Sequence, residues 1–249
     1  NFENFSWMTV VAAMGQMFYS LSIAMGVLYT YGSYIGRDMD IEKSTSQVEI
    51  FDTGIAMLGG LMIIPAVFDF SGGDMATLKA GPSLTFITLP KIFASMSAGT
   101  VVALAFFLMF LFAALTSAIS IMEASVATLQ DELHLSRAKS CLIMVFVSFV
   151  LGSASALGYG IWDGVRILGM QFLDFFDFLT NSVMMPIGAL ATCFLILRVV
   201  GIQKIEEEVE ISSGFRRKKL YKFFLKYLAP ICIAIILLSS IANVLGWIS

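Results

Sequence analysis

The chain has 249 residues, 58% of them hydrophobic and 13% charged, with a mean hydropathy of +0.88. Soluble domains carry about a quarter charged residues, so this composition excludes a water-soluble globular fold and indicates an integral membrane protein. The net charge of −3 gives no basic surface for nucleic acid, and the three cysteines, Cys141, Cys193 and Cys232, stand singly in or beside apolar runs and read as small hydrophobes.

Helices rather than barrel strands are expected, because "VVALAFFLMFLFAALTSAISIM" (101–122) shows no two-residue alternation. Six runs approach the roughly 20 apolar residues that cross a bilayer: 7–34, 48–70, 99–129, 141–160, 172–200 and 227–247. The first contains "GQMFYSLSIAMG", in which Gln16, Ser20 and Ser22 lie between Gly15 and Gly26. Two readings fit it: a helix interrupted mid-membrane to expose backbone groups to an ion or substrate, or a continuous helix whose serines back-bond and whose glycines permit close packing. The second run carries Asp52 and Thr53 near its start, either as hard oxygen ligands for a small cation or as interfacial polar groups. The connection 71–98 follows, with turn chemistry in "GGD" and "AGPS" and short helices expected at 75–79 and 89–93.

The third run places Thr116, Ser117 and Ser120 at its centre, as sodium-ligating hydroxyls or as interhelical hydrogen-bonding groups. Glu123, one turn on, requires a partner at that depth. After the fourth run, the fifth opens with "LDFFDF", where Asp174 and Asp177 share a helix face as interfacial acids or as half of a gate. The loop 201–226, with its acidic stretch 206–210 and basic stretch 216–219, reads as a solvated connector whose basic half meets anionic head groups.

Six spans distribute the fifteen basic residues unevenly. Arg37, Lys43, Arg137, Lys139, Arg198, Lys204, Arg216, Arg217, Lys218, Lys219, Lys222 and Lys226 fall on one side, and Lys79, Lys91 and Arg166 on the other. Positive charge favours the cytoplasm, so the N-terminus of this chain and the loop 71–98 are expected outside the cell, and 201–226 inside. The chain opens on Asn1 with no basic n-region or cleavage site, so no signal peptide is expected. No Cys/His, Ser/His/Asp, phosphate-loop or zinc pattern suggests an enzyme, and His134 sits in a loop without a catalytic partner.

The segments "GQMFYSLSIAMGVLYTYGSY", "DTGIAMLGGLMIIPAVF", "AGPSLTFITLPKIF", "FAALTSAISIMEASVATLQDELHLSR" and "LDFFDFLTN", in this order, resemble the sixth to tenth membrane helices of prokaryotic neurotransmitter:sodium symporters with the LeuT fold. The resemblance implies an all-α membrane protein: the second five-helix inverted repeat plus one further helix, with the first helix broken between Ser20 and Ala24 and the first repeat missing.

The resemblance also implies roles for individual residues. Tyr19, Ser22, Met25, Ser117 and Ile121 align with substrate-pocket positions. Ser20 and Asp52 align with one sodium site, while the Ala113 carbonyl and the Thr116 and Ser117 hydroxyls align with a second. Gln16, Asp174 and Asp177 align with an extracellular gate. Ala24 stands where relatives usually have glycine, Met25 replaces a common aromatic, and Ala56 near the chloride-site serine of chloride-dependent relatives argues against chloride coupling. The implied function is sodium-coupled amino-acid symport in the plasma membrane. The competing readings are a non-transporting membrane module, a half-transporter whose partner chain supplies the first repeat, and an ion channel.

Overall fold

The computed structural model describes residues 7–70, 81–212 and 214–244. Among them the secondary structure is helical, with one isolated bridge between Ile167 and Met170. The helices are α1 (Trp7–Ser20), α2 (Val27–Tyr34), α3 (Ile41–Phe70), α4 (Leu89–Ser95), α5 (Gly99–Leu133), α6 (Arg137–Gly158), α7 (Phe172–Val200), α8 (Ile202–Ser212) and α9 (Lys218–Ala242). Of these, α3, α5, α6, α7 and α9 are long and apolar enough to cross a membrane. The expected first span is present as two shorter pieces, α1 and α2.

Several helices extend past their apolar runs, for local reasons. α3 begins at Ile41 rather than at 48, because the Asp40 carboxylate accepts the Lys43 N–H at 2.9 Å and so caps the polar first turns. Glu42, in the first turn, accepts the backbone N–H groups of Arg216 and Arg217 at 2.7 and 3.2 Å. The expected connector 201–226 also contains α8 and the first turns of α9. α8 is amphipathic, burying Glu206 and Val209 three residues apart. Lys222 lies 2.7 Å from Glu206 Oε1, while Lys218 lies 3.2 Å from Glu206 Oε2 and 2.8 Å from Glu210 Oε1. The Lys222 ammonium, helped by Lys218 and opposed by burial, holds the Glu206 carboxyl below the usual carboxylate range.

The chain forms two compact units. In the unit 46–119, Val67 of α3 packs with Leu89 and Ile92 of α4, and Ile63, Phe93 and Phe106 pack around them. Phe93 meets Phe106 at 5.4 Å between centroids, and Phe106 meets Phe107 edge-on at 5.3 Å. The expected short helix at 89–93 is therefore real and anchored, whereas that at 75–79 lies outside the described residues. The α4–α5 turn is so tight that a methyl on Gly99 would overlap the Phe93 carbonyl oxygen. Gly99→Ala is thus expected to cost about 1–3 kcal/mol, visible as a lower thermal midpoint in detergent.

In the second unit, the core is Ala189 and Cys193 of α7 against Ile233 of α9, with Phe18 of α1 and Ala24 packed on it. α1 and the residues that follow it are thereby seated on the long helices. Most other large apolar side chains, such as Leu61, Met62 and Ile50, face outward, as lipid-exposed residues do.

Candidate functional site

α1 stops because the chain reverses handedness at Ser22, whose φ is 53°. Its N–H donates to the Tyr19 carbonyl at 3.0 Å, and the Ile23 N–H donates to the Phe18 carbonyl at 3.1 Å. This is the Schellman arrangement, with Ser22 where glycine is usual. Ala24 at φ 63° and Gly26 at φ 81° continue the left-handed alternation until α2 starts, and the Gly26 carbonyl accepts both the N–H and the hydroxyl of Thr30. Between Ser20 and Gly26 the regular i→i+4 ladder is interrupted, so the broken-helix reading holds and the break runs two residues beyond Ala24.

Small residues bring neighbouring helices up to the break. A Cβ on Gly26 would lie 3.8 Å from Ala124 of α5, and one on Gly188 of α7 would lie 3.7 Å from the Ala24 carbonyl oxygen. An L-residue in the left-handed region costs about 1–2 kcal/mol, and Ala24 bears that cost. Ala24→Gly is therefore expected to raise thermal stability by up to about 1 kcal/mol after the gain in unfolded-chain entropy is set against it, whereas Ala24→Val lowers it. Thermal unfolding of the two variants side by side checks the sign.

The expected site residues divide among these elements. Gln16, Tyr19 and Ser20 are on the last turns of α1, and Ser22 and Met25 are within the break. Ile121 lies on α5, and Asp174 and Asp177 on the first turns of α7. Asp177 accepts a hydrogen bond from the Asn181 side chain, and among the described residues neither acid forms an ion pair. In the unit 46–119, Asp52 is half-buried on α3 and Ala113, Thr116 and Ser117 follow one another along α5. Thr116 Oγ1 donates to the carbonyls of Phe112 and Ala113, both at 3.0 Å, so one carbonyl oxygen and one hydroxyl of the proposed sodium set are already adjacent. Carbonyl, hydroxyl and carboxylate oxygens suit a hard cation, and no cluster of three His, Cys, Asp or Glu occurs among the described residues.

A polar seam along α2 was not anticipated. Tyr29 donates to Thr192 of α7 at 2.8 Å, Tyr31 shares a 2.6 Å hydrogen bond with Ser120 of α5, and Tyr34 donates to Glu123 at 2.8 Å. Glu123 has the partner its position demanded: Arg137, at the start of α6, binds it through Nη1 at 3.0 Å and Nη2 at 2.6 Å. The signal was present in the "YTYGSY" spacing, which puts a tyrosine at every second or third residue, and in Arg137 just past the turn that ends α5.

The sodium:neurotransmitter symporter family matches residues 2–246. The uncharacterized sodium-dependent transporter YhdH of Bacillus subtilis is 32% identical over 235 residues, covering 94% of this chain and 51% of its own. An uncharacterized sodium-dependent transporter of Haemophilus influenzae is 31% identical over 232 residues, covering 93% of this chain and 50% of its own. The crystal structure of MhsT in complex with L-phenylalanine superposes with a TM-score of 0.82 at 34% identity, over 92% of this chain and 51% of MhsT. The chain spans about half the length of the curated relatives it matches.

Proposed function

Because the chain belongs to the sodium:neurotransmitter symporter family, a family of membrane transporters rather than enzymes, we propose that it forms the second half of a sodium-coupled amino-acid symporter. The observation that carries this reading is the interruption of the first span at Ser22 and Ala24, since irregular backbone at membrane depth is tolerated only where protein or a wet cavity encloses it. The first repeat, whichever chain provides it, is the expected partner for that enclosure. The basic residues orient this chain with its N-terminus outside the cell.

In the proposed cycle, the Ala113 carbonyl and the Thr116 and Ser117 hydroxyls hold one sodium ion, and Ser20 and Asp52 contribute to another. Tyr19, Ser22, Met25, Ser117 and Ile121 bound the amino acid. Gln16, Asp174 and Asp177 close the outer side, the two acids pairing with a base from the first repeat. One set would consist of neutral oxygens and the other would include the Asp52 carboxylate, and this chain's residues would fix where each ion sits. Sodium and substrate then favour the same closed state, so each tightens the other by an equal factor. The L-phenylalanine held by MhsT supports an amino acid as the class of substrate.

The test is uptake of a panel of labelled amino acids into vesicles containing the assembled transporter, with sodium or with choline outside. Saturable uptake that requires sodium is expected. Equal uptake in both buffers would sink the symport reading, and sodium current without saturable uptake would replace it with a channel.

A further inference from the structure

α9 enters the membrane through "RRKKLYKFFLKY" (216–227), which holds six cations. They are not equivalent. Lys218 is paired with Glu206 and Glu210 of α8 and Lys222 with Glu206, within 2.7 to 3.2 Å, and Glu206 is buried, so the charge on that flank is locally neutralised. Arg216, Lys219 and Lys226 are exposed and form no ion pair among the described residues. Lys226 lies over the Tyr227 ring at 5.2 Å. Leu220, Phe223, Phe224 and Tyr227 are exposed among them. Lys219, Phe223 and Lys226 recur at intervals of four and three and so share one flank of the helix.

We propose that this flank binds the head groups of anionic phospholipids in the leaflet that α9 enters. Cations and aromatic rings alternate along a helix end that continues directly into an apolar span. That order matches a ligand with a phosphate at one end and acyl chains at the other, with lysine stems lying along the chains and ammonium groups at the phosphates. A soluble phosphate compound would leave Leu220, Phe223 and Phe224 without a role. The two inward lysines are excluded because moving either one strips a partner from the buried Glu206 carboxylate.

The protein in nanodiscs containing equal phosphatidylcholine and phosphatidylglycerol is released into the gas phase, and the lipids retained on it are counted by native mass spectrometry. Phosphatidylglycerol is expected to be enriched on the parent protein, less so as ionic strength rises. Lys219→Gln and Lys226→Gln should each lower that enrichment by up to about fivefold. Lys219→Arg should keep it, and Lys91→Gln, on α4, should not change it. Absence of enrichment on the parent protein overturns the proposal whatever the variants do. So do Gln variants that match the parent, an equal loss from Lys91→Gln, or displacement of the lipid by soluble glycerol phosphate.

Discussion

Replacing Thr116 by valine together with Ser117 by alanine is expected to raise the sodium concentration that half-saturates substrate binding by about a hundredfold or more. A hydrogen-bonding or ligating contact to a charged group is worth about 1.5–3 kcal/mol, and the double change removes two hydroxyl oxygens from the proposed cation set. Valine keeps the shape of threonine. The Thr116 hydroxyl donates back to carbonyls of its own helix, those of Phe112 and Ala113, and these bonds add nothing that the backbone ladder of α5 needs. Sodium titration of labelled substrate binding reads the effect. A curve that overlays the parent's, on a variant with an unchanged thermal midpoint, removes these residues from the sodium site.

Glu123→Gln is expected to shift the balance between the transporter's conformational states by about tenfold, a typical size for coupling between distant sites. The carboxylate takes two bonds from Arg137 and one from Tyr34, linking the end of α2, the C-terminal third of α5 and the start of α6. Glutamine retains one acceptor oxygen but loses the charge and the paired geometry. The Arg137 side chain is 60% exposed, so solvent screening keeps the expected effect well below that of a fully buried pair. If the two residues act through each other, Arg137→Gln reproduces the shift and the double variant is no worse than either single one. Labelling of a cysteine placed on the cytoplasmic side, with and without sodium, measures it. Additive single effects would mean that the pair is not one latch.

The expected architecture was readable from composition because lipid imposes a strong constraint: each span must be long, apolar and internally hydrogen-bonded. What apolarity could not give was where helices end outside the hydrocarbon. The start of α3 depends on one aspartate, Asp40, and the presence of α8 depends on the burial of Glu206 against two lysines. Both are side-chain events in polar sequence, where a hydropathy reading finds only a loop. The break was half readable. Serine and glycine allowed it, but its mechanism lies in Ser22 and Ala24, two residues with no intrinsic preference for the left-handed region. The ion and substrate roles rest on resemblance rather than on the residues alone, since hydroxyls on a membrane helix serve packing equally well. The α2 tyrosine seam went unread because each hydroxyl finds its partner far along the chain, between 89 and 163 residues away.

The break also bears on how the chain is made. α2 has 8 residues, which gives a length of about 12 Å, well short of the roughly 30 Å of hydrocarbon. It is not a stable insertion unit by itself, so the biosynthetic machinery has to accept it together with α1 as a single greasy segment. Unwinding is then expected only after α5 and α7 arrive to shelter the exposed backbone. Until that moment the first span is the immature part of the protein, and a ribosome stalled before α7 should leave a product that quality-control proteases recognise.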